Sequence, residues 1–162
     1  MRSRILLASL LLILTACAAP HPRDNQESAL YIVKVEQGVS YDDVVTSLKV
    51  AAEGKNFVSP GVYPLGEHLQ QRGQQLQGRL EVRSYCNLGL GAEVFKDYPE
   101  FAAFAPCRIA IYEKNGALYM ALDRPTRAVN ALGKVPQHVR DAAEEIEKTL
   151  IWMMEKARKG DI

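Results

Sequence analysis

The distribution of apolar and polar residues predicts alternating strands and helices from about residue 30 onward. Residues 30–35 are rich in Tyr, Ile and Val, as expected of a strand that is buried on both faces or nearly so. Ser40, with Asp43 three residues later, forms a capping-box pattern at the start of a helix. The apolar residues that follow recur at helical spacing up to Gly54, so we predict a helix between these two boundaries.

The middle of the chain contains two further strand-like stretches, at residues 57–68 and 80–85. Residues 70–78 between them are rich in glutamine and contain two glycines, which indicates a solvated connection. Residues 88–104 predict a short helix that Pro99 stops, followed by an apolar loop.

The last third of the chain predicts a hairpin and a long helix. Asn115 and Gly116 favour a tight turn between two strands, with Ile109 and Ile111 on one face of the sheet. Residues 137–159 carry an apolar stripe at spacings of three and four, which predicts an amphipathic helix. The stripe consists of Val139, Ala142, Ala143, Ile146, Leu150, Met153 and Ala157.

These elements predict a single α+β domain in the order β-α-β-β-α-β-β-α, with a long C-terminal helix. Helices with one apolar stripe beside consecutive strands imply an antiparallel sheet on which the helices pack. The composition supports a globular chain, because 48% of the residues are hydrophobic and 24% are charged.

The first residues have the layout of a secretory signal peptide. Arg2 and Arg4 precede an apolar run at residues 5–14, which is about half the length of a membrane-spanning helix. Leu-Thr-Ala-Cys at residues 14–17 resembles a bacterial lipobox, in which the cysteine is acylated and becomes the first residue after cleavage. The alternative is an ordinary signal peptide that is cleaved near Ala19, with Cys17 incidental.

The lipobox interpretation divides the chain into three parts. Residues 1–16 are the signal peptide, residues 17–28 are the lipidated cysteine with a flexible tether, and residues 29–160 are the folded domain. Acylated Cys17 would attach the protein to a lipid bilayer. Ala18, rather than Asp, follows the cysteine, so we expect a Gram-negative outer membrane location on the periplasmic face.

The charge balance excludes nucleic acid as a general partner. The chain has 20 Lys and Arg against 19 Asp and Glu, and loss of Arg2 and Arg4 with the signal peptide leaves 18 against 19. Such a surface lacks the basic excess that phosphate backbones require.

Two short motifs carry a resemblance to a known family. The stretch that contains Cys-Asn-Leu at residues 86–88 and Pro-Cys-Arg at residues 106–108 resembles the domain of unknown function 302 family. The similarity extends over about residues 29–157 and includes residues 65–73. The resemblance implies a compact α+β domain of the β-α-β4-α type with an inserted helix, which tends to form dimers, and it implies no established reaction.

Cys86 and Cys107 remain as a pair once Cys17 is lipidated, and three interpretations are open. If their strands are antiparallel neighbours, the two cysteines could form a structural disulfide in an oxidising compartment. The second interpretation is that the two cysteines form a redox or sulfur-handling pair, since Arg108 adjoins Cys107 and a nearby cation lowers the pKa of a thiol. Two buried, unpaired thiols are the third.

No motif in the sequence indicates a reaction, a cofactor or a metal. The three histidines show no ligand spacing, and hydrolase, phosphate-binding and haem motifs are absent. We therefore expect no catalytic residue, no metal and no cofactor, and a binding domain rather than an enzyme. Aromatic residues cluster around the second predicted helix: Tyr85, Phe95, Tyr98, Phe101 and Phe104.

Two hypotheses follow from the sequence. The first is a membrane-anchored envelope lipoprotein whose domain binds a small apolar ligand or an envelope protein, in a groove or at a dimer face. The candidate groove residues are Tyr85, Asn87, Phe95 and Arg108. The second hypothesis is a thiol-dependent redox or sulfur-handling protein that uses Cys86 and Cys107.

Overall fold

Five strands form one antiparallel sheet in the order β1-β5-β4-β3-β2. The computed structural model describes residues 28–162, so the predicted signal peptide, Cys17 and nearly all of the predicted tether lie outside the described residues. The strands are β1 (Leu30–Lys34), β2 (Val62–Tyr63), β3 (Leu80–Tyr85), β4 (Cys107–Lys114) and β5 (Ala117–Asp123).

Within residues 28–162, five α-helices and one 3₁₀ helix connect or follow the strands. They are α1 (Tyr41–Glu53), α2 (Leu65–Gln70), α3 (Leu88–Phe95), the 3₁₀ helix (Pro99–Phe104), α4 (Pro125–Ala131) and α5 (Gln137–Ala157). None of the described helices is both long and apolar enough to cross a membrane.

Helix α1 begins at a complete capping box. The backbone N–H of Asp43 donates to the Ser40 hydroxyl over 3.1 Å, and the backbone N–H of Ser40 donates to the Asp43 carboxylate over 2.9 Å. Both hydrogen bonds satisfy backbone groups that lack partners within the helix. The hydrogen bonds from Ser40 also lower the pKa of Asp43.

The main hydrophobic core lies between one face of the sheet and helices α1 and α5. Ile109 of β4 is opposite Leu122 of β5, and Ile111 is opposite Met120, so four large side chains project from the centre of the sheet on the same face. Leu48, Leu150, Met153 and Met154 pack against this face from the two helices.

A second, smaller hydrophobic cluster lies beside the main core. It joins α3, the 3₁₀ helix, α4 and the first half of α5 through Val94, Phe101, Val129, Val139 and Ala143. The first half of α5 therefore packs on other helices, whereas its second half packs in the main core.

The opposite face of the sheet carries an apolar row across all five strands. The strand register aligns Ile32, Ala121, Ala110, Val82 and Tyr63. Ile32 is 50% exposed and Tyr63 is 52% exposed at the two edges of the sheet. We call this row and its neighbours the open face.

A row of larger side chains lies next to this apolar row on the open face. Tyr119 of β5 is opposite Tyr112 of β4, and their rings stack with centroids 5.6 Å apart. Small and large side chains therefore lie in adjacent rows.

The α+β class, the single antiparallel sheet and the long C-terminal helix are confirmed. The predicted order of strands and helices is present, with α2, the 3₁₀ helix and α4 as additions. The hairpin between β4 and β5 turns at Asn115 and Gly116, whose φ angles are 53° and 73°. Such positive φ angles are the ones that an Asn-Gly turn accommodates.

The environment of the first strand differs from the prediction. Strand β1 lies at the edge of the sheet, and its residues alternate between half-buried and exposed, so burial on both faces was wrong. Tyr31 and Val33 contact the main core, whereas Leu30 and Ile32 lie on the open face.

The predicted strand at residues 57–68 was also largely wrong. Only Val62 and Tyr63 form a strand, and helix α2 begins directly after Pro64. Pro60 and Pro64 flank the two strand residues, and proline has no N–H to donate to a strand ladder. The strand therefore ends before Pro64, and on the other side only isolated pairing continues, between Gly61 and Ser84 and between Val58 and Cys86.

Candidate functional site

Several chain segments converge at one end of the sheet. Strand β3 ends there, and Tyr85 lies opposite Cys107, the first residue of β4. Strand β5 ends there as well, at Asp123, which lies opposite Leu30, the first residue of β1. Helices α3 and α4 begin directly beyond this end of the sheet, at Leu88 and Pro125.

An apolar cavity lies between this end of the sheet and helices α3 and α4. The space that the centre of a water-sized sphere can reach is about 40 Å³, and the whole space between atoms is about 540 Å³ when the solvent-open mouth is included. Aromatic and aliphatic side chains form most of the wall: Val94, Phe95, Phe101, Phe104, Pro106 and Pro125. The rings of Phe101 and Phe104 lie 5.4 Å apart.

Both cysteines line this cavity, and both are free thiols. Cys86 is the residue after Tyr85, and its backbone forms an isolated bridge with Val58. Burial raises the pKa of Cys86. Burial, and to a smaller extent the neighbouring Cys86 and Asp123, raises the pKa of Cys107 to about 12. Both sulfurs are therefore protonated, weakly nucleophilic thiols at neutral pH.

Arg108 does not activate the thiols in the way its sequence position suggested. Its guanidinium donates to the Asp123 carboxylate over 2.7 Å, in an ion pair that is about half exposed. Arg108 exerts only a small lowering effect on the pKa of Cys107, because burial of the thiol dominates.

A buried ion pair closes another part of the cavity wall. Arg124 donates to Glu147 over 2.7 Å, and the second carboxylate oxygen of Glu147 accepts the backbone N–H of Thr126 over 3.0 Å. The Thr126 hydroxyl donates to that same oxygen over 2.5 Å. Glu147 therefore connects α5 to the start of α4 and fixes the wall that Arg124 and Pro125 contribute.

The four candidate groove residues lie in different environments. Asn87 and Phe95 line the cavity, and the Asn87 side chain also caps α3 by accepting the backbone N–H of Leu90 over 3.1 Å. Tyr85 is only 2% exposed and belongs to the main core. Arg108 lies on the surface beside Asp123 and is not part of the cavity wall.

The contribution of α4 to the cavity was missed from the sequence. Arg124, Pro125 and Ala128 all line the cavity, and they lie in or next to a helix that was not predicted. Pro125 occupies the first turn of this helix, which is a recognised start signal. Seven residues are too few for a clear apolar period, so this proline was the one usable signal.

Residues 28–162 contain no evident set of metal ligands. No group of three or more His, Cys, Asp or Glu residues in this part of the chain could hold a metal ion. His138 instead lies 2.8 Å from Asp97 on the surface.

The two cysteine motifs therefore both contribute to the wall of one cavity within a five-stranded α+β fold. Residues 31–157 match the family described as Domain of unknown function DUF302. The chain belongs to the DUF302 family. The match covers every strand and helix of the described structure except the first residue of β1.

Two uncharacterised proteins resemble this DUF302 chain. A protein of Aquifex aeolicus (strain VF5) is 39% identical over 89 residues, and the match spans 55% of each chain. The chain thus spans about half the length of this curated relative. The crystal structure of an uncharacterised conserved DUF302 protein from Bacillus stearothermophilus matches with a TM-score of 0.71 and 22% identity, over 80% of this chain and 98% of that one. At this identity the structural match shows the fold.

Proposed function

We propose that this protein is a lipid-anchored envelope protein whose DUF302 domain binds a small apolar ligand without catalysing a reaction. The observation that carries the proposal is the apolar cavity at the end of the sheet, with its aromatic wall and partly open mouth. Concave, mostly apolar sites with few polar groups are the usual form of small-molecule sites.

The anchor is inferred from the sequence around Cys17. A charged start, an apolar run of about ten residues and Leu-Thr-Ala-Cys support acylation of this cysteine, and Ala18 supports the periplasmic face of a Gram-negative outer membrane. Two or more acyl chains give stable attachment to a bilayer, whereas a single chain does not.

Metabolic labelling with a palmitate analogue tests the anchor. We expect the wild-type protein to be labelled and to sediment with membranes, and the Cys17→Ala variant to be unlabelled. An unlabelled wild type, or a label that survives Cys17→Ala, would contradict the lipoprotein assignment.

The charged side chains in the cavity wall are already in ion pairs, which favours an uncharged ligand. Asp123 and Arg124 are the two charged residues in the described wall, and each is in an ion pair, with Arg108 and Glu147 respectively. An ionised ligand would have to compete with these pairs, whereas an apolar ligand gains from burial in the cavity.

A thiol-dependent role is the second candidate, because both sulfurs line the same cavity. The raised pKa values of Cys86 and Cys107 make rapid thiol exchange unfavourable, since the thiolate is the reactive form. Thiol titration of the envelope protein, with and without reductant, separates the two functions. A readily reversible disulfide that Cys107→Ser abolishes would favour redox chemistry over ligand binding.

A second copy of the chain is the partner that the open face supports. The open face carries adjacent rows of small side chains (Ala110 and Ala121) and stacked tyrosines (Tyr112 and Tyr119), and a two-fold dimer brings the same surface of both copies together. We therefore propose a homodimer in which two open faces pack sheet to sheet.

A further inference from the structure

The described chain enters the fold at the end of the sheet that holds the cavity. The backbone N–H of Arg124, which lines the cavity, donates to the carbonyl of Ala29 over 3.1 Å. Strand β1 then runs away from this end, from Leu30 to Lys34. Eleven residues separate Cys17 from Ala29, and they can span at most about 40 Å.

Two exposed apolar side chains lie at this same end of the sheet, one in the cavity wall and one next to a wall residue. Phe104 is a wall residue that is nevertheless 41% exposed, and Leu88, which follows the wall residue Asn87, is 65% exposed. Large apolar side chains are therefore presented to the surroundings close to the point from which the chain leads back toward Cys17.

The dimensions of the cavity limit what it can hold. One water molecule needs about 10–15 Å³ of the volume that its centre can reach, so about 40 Å³ accepts roughly three groups of that size. A methylene group is similar in size to a water molecule. The inner cavity therefore has room for the last few carbon atoms of a hydrocarbon chain.

We infer that the cavity opens toward the bilayer and receives the hydrocarbon chain of a membrane lipid. This assignment rests on the proposed lipid anchor and gives the proposed apolar ligand a chemical class and a source. An acylated Cys17 is joined to the domain at the cavity end, so this end is closer to the anchor along the chain than the Lys34 end is. Leu88 and Phe104 then contact the interface, and the lipid chain passes Phe104 to reach the space beside Cys86 and Cys107.

Photo-crosslinking in vesicles tests the inference. The full lipidated protein is reconstituted in phosphatidylethanolamine and phosphatidylglycerol vesicles that contain a phospholipid with a diazirine in its acyl chain. After illumination, mass spectrometry maps the crosslinked peptides. We expect crosslinks in residues 86–107 and 124–128, and none in residues 34–38 at the opposite end of the sheet.

Two substitutions in α4 provide a matched comparison. Ala128→Leu fills the cavity, whereas Ala131→Leu adds the same atoms at an exposed position of the same helix. Overfilling a packed site costs enough to reduce binding at least about fivefold, so Ala128→Leu should reduce crosslinking by that factor and Ala131→Leu should leave it unchanged. Thermal melting of both variants checks that each is folded.

Three outcomes would overturn the inference. Equal crosslinking at both ends of the sheet contradicts the orientation, and crosslinking that Ala128→Leu does not reduce contradicts entry into the cavity. In both cases an intact mass that includes the acyl groups on Cys17 would leave the lipoprotein proposal standing. If the intact mass shows no acyl groups on Cys17, both the anchor and the inference fail.

Discussion

The burial of Cys107 determines what its sulfur can do. Its thiol lies in a cavity wall, where the low polarity favours the neutral form, and its pKa rises from 9.0 to about 12. The raised pKa leaves a much smaller thiolate population at neutral pH than an unperturbed cysteine has.

Alkylation by iodoacetamide should therefore be slow at Cys107 in the folded protein. We expect a rate at neutral pH that is roughly 100- to 1000-fold lower than for the same residue in denaturant. The rate should increase about tenfold per pH unit around neutral pH, because the thiolate fraction does. Mass spectrometry of the Cys107 peptide gives the rate, and equal rates in the folded and unfolded chains would contradict the proposed burial of the thiol.

The buried Arg124–Glu147 pair should contribute strongly to stability. Glu147→Gln removes the charge that compensates Arg124, and breaking a buried pair in this way lowers the free energy of unfolding by about 3 kcal/mol. Glu144→Gln on the exposed side of the same helix is the control, with an expected change within about 0.5 kcal/mol. Urea unfolding measures both changes. A change for Glu147→Gln as small as that for Glu144→Gln would contradict a stabilising role of the buried ion pair.

Glycines in a turn and in a helix should respond oppositely to the same substitution. Gly116 has a φ of 73° in the hairpin turn, so Gly116→Ala should lower the free energy of unfolding by about 1 kcal/mol or more. Gly89 lies in helix α3, and a Cβ atom added there would meet only the Asn87 side chain, at 3.5 Å.

Gly89→Ala should therefore raise the free energy of unfolding, by up to about 1 kcal/mol, because alanine restricts the unfolded chain and favours the helix. Chemical denaturation of the two variants beside the wild type gives both values. A stabilising Gly116→Ala would contradict the turn geometry.

The elements that the sequence predicted well have strong local signals. The capping box at Ser40 and Asp43, the Asn115-Gly116 turn and the long stripe of α5 each combine a boundary residue with a periodic pattern. Strand β2 and helix α2 lack such a pattern, since two prolines interrupt a short apolar stretch. Local composition there favoured a long strand, whereas Pro64, which has no N–H to donate, ends the pairing with β3 after Tyr63.

The candidate site was only partly predictable, because the cavity depends on tertiary packing. The sequence indicated Cys86, Cys107, Asn87 and Phe95, all of which line the cavity. It also suggested Tyr85, but the alternation of side chains along β3 places this residue in the main core. The wall from α4 could not be predicted without the contact between α4 and α5.

The whole molecule presents two surfaces with different proposed partners. The cavity end holds the entry point of the chain, and the open face lies on the side of the sheet away from α1 and α5. A sheet-to-sheet dimer leaves the cavity end free, so a dimer and a lipid-facing cavity are compatible.

The dimer predicts a specific effect of charge on the open face. Ala121→Glu places a carboxylate in the central apolar row, and burying it in a dimer is costly, so we expect dissociation to monomers. Ala103→Glu, at an exposed position of the 3₁₀ helix, should leave the dimer intact. Sedimentation equilibrium measures both, and a wild type that is monomeric would contradict the dimer.

Native mass spectrometry of the protein released from the cell envelope tests the central claim most directly, because one spectrum reports the anchor and the cavity together. We predict a chain that begins at Cys17, carries acyl groups, and retains a non-covalent apolar molecule that is lost in Ala128→Leu and kept in Ala131→Leu. A wild-type spectrum with no bound molecule, or a bound molecule that Ala128→Leu does not displace, would contradict the proposed binding function.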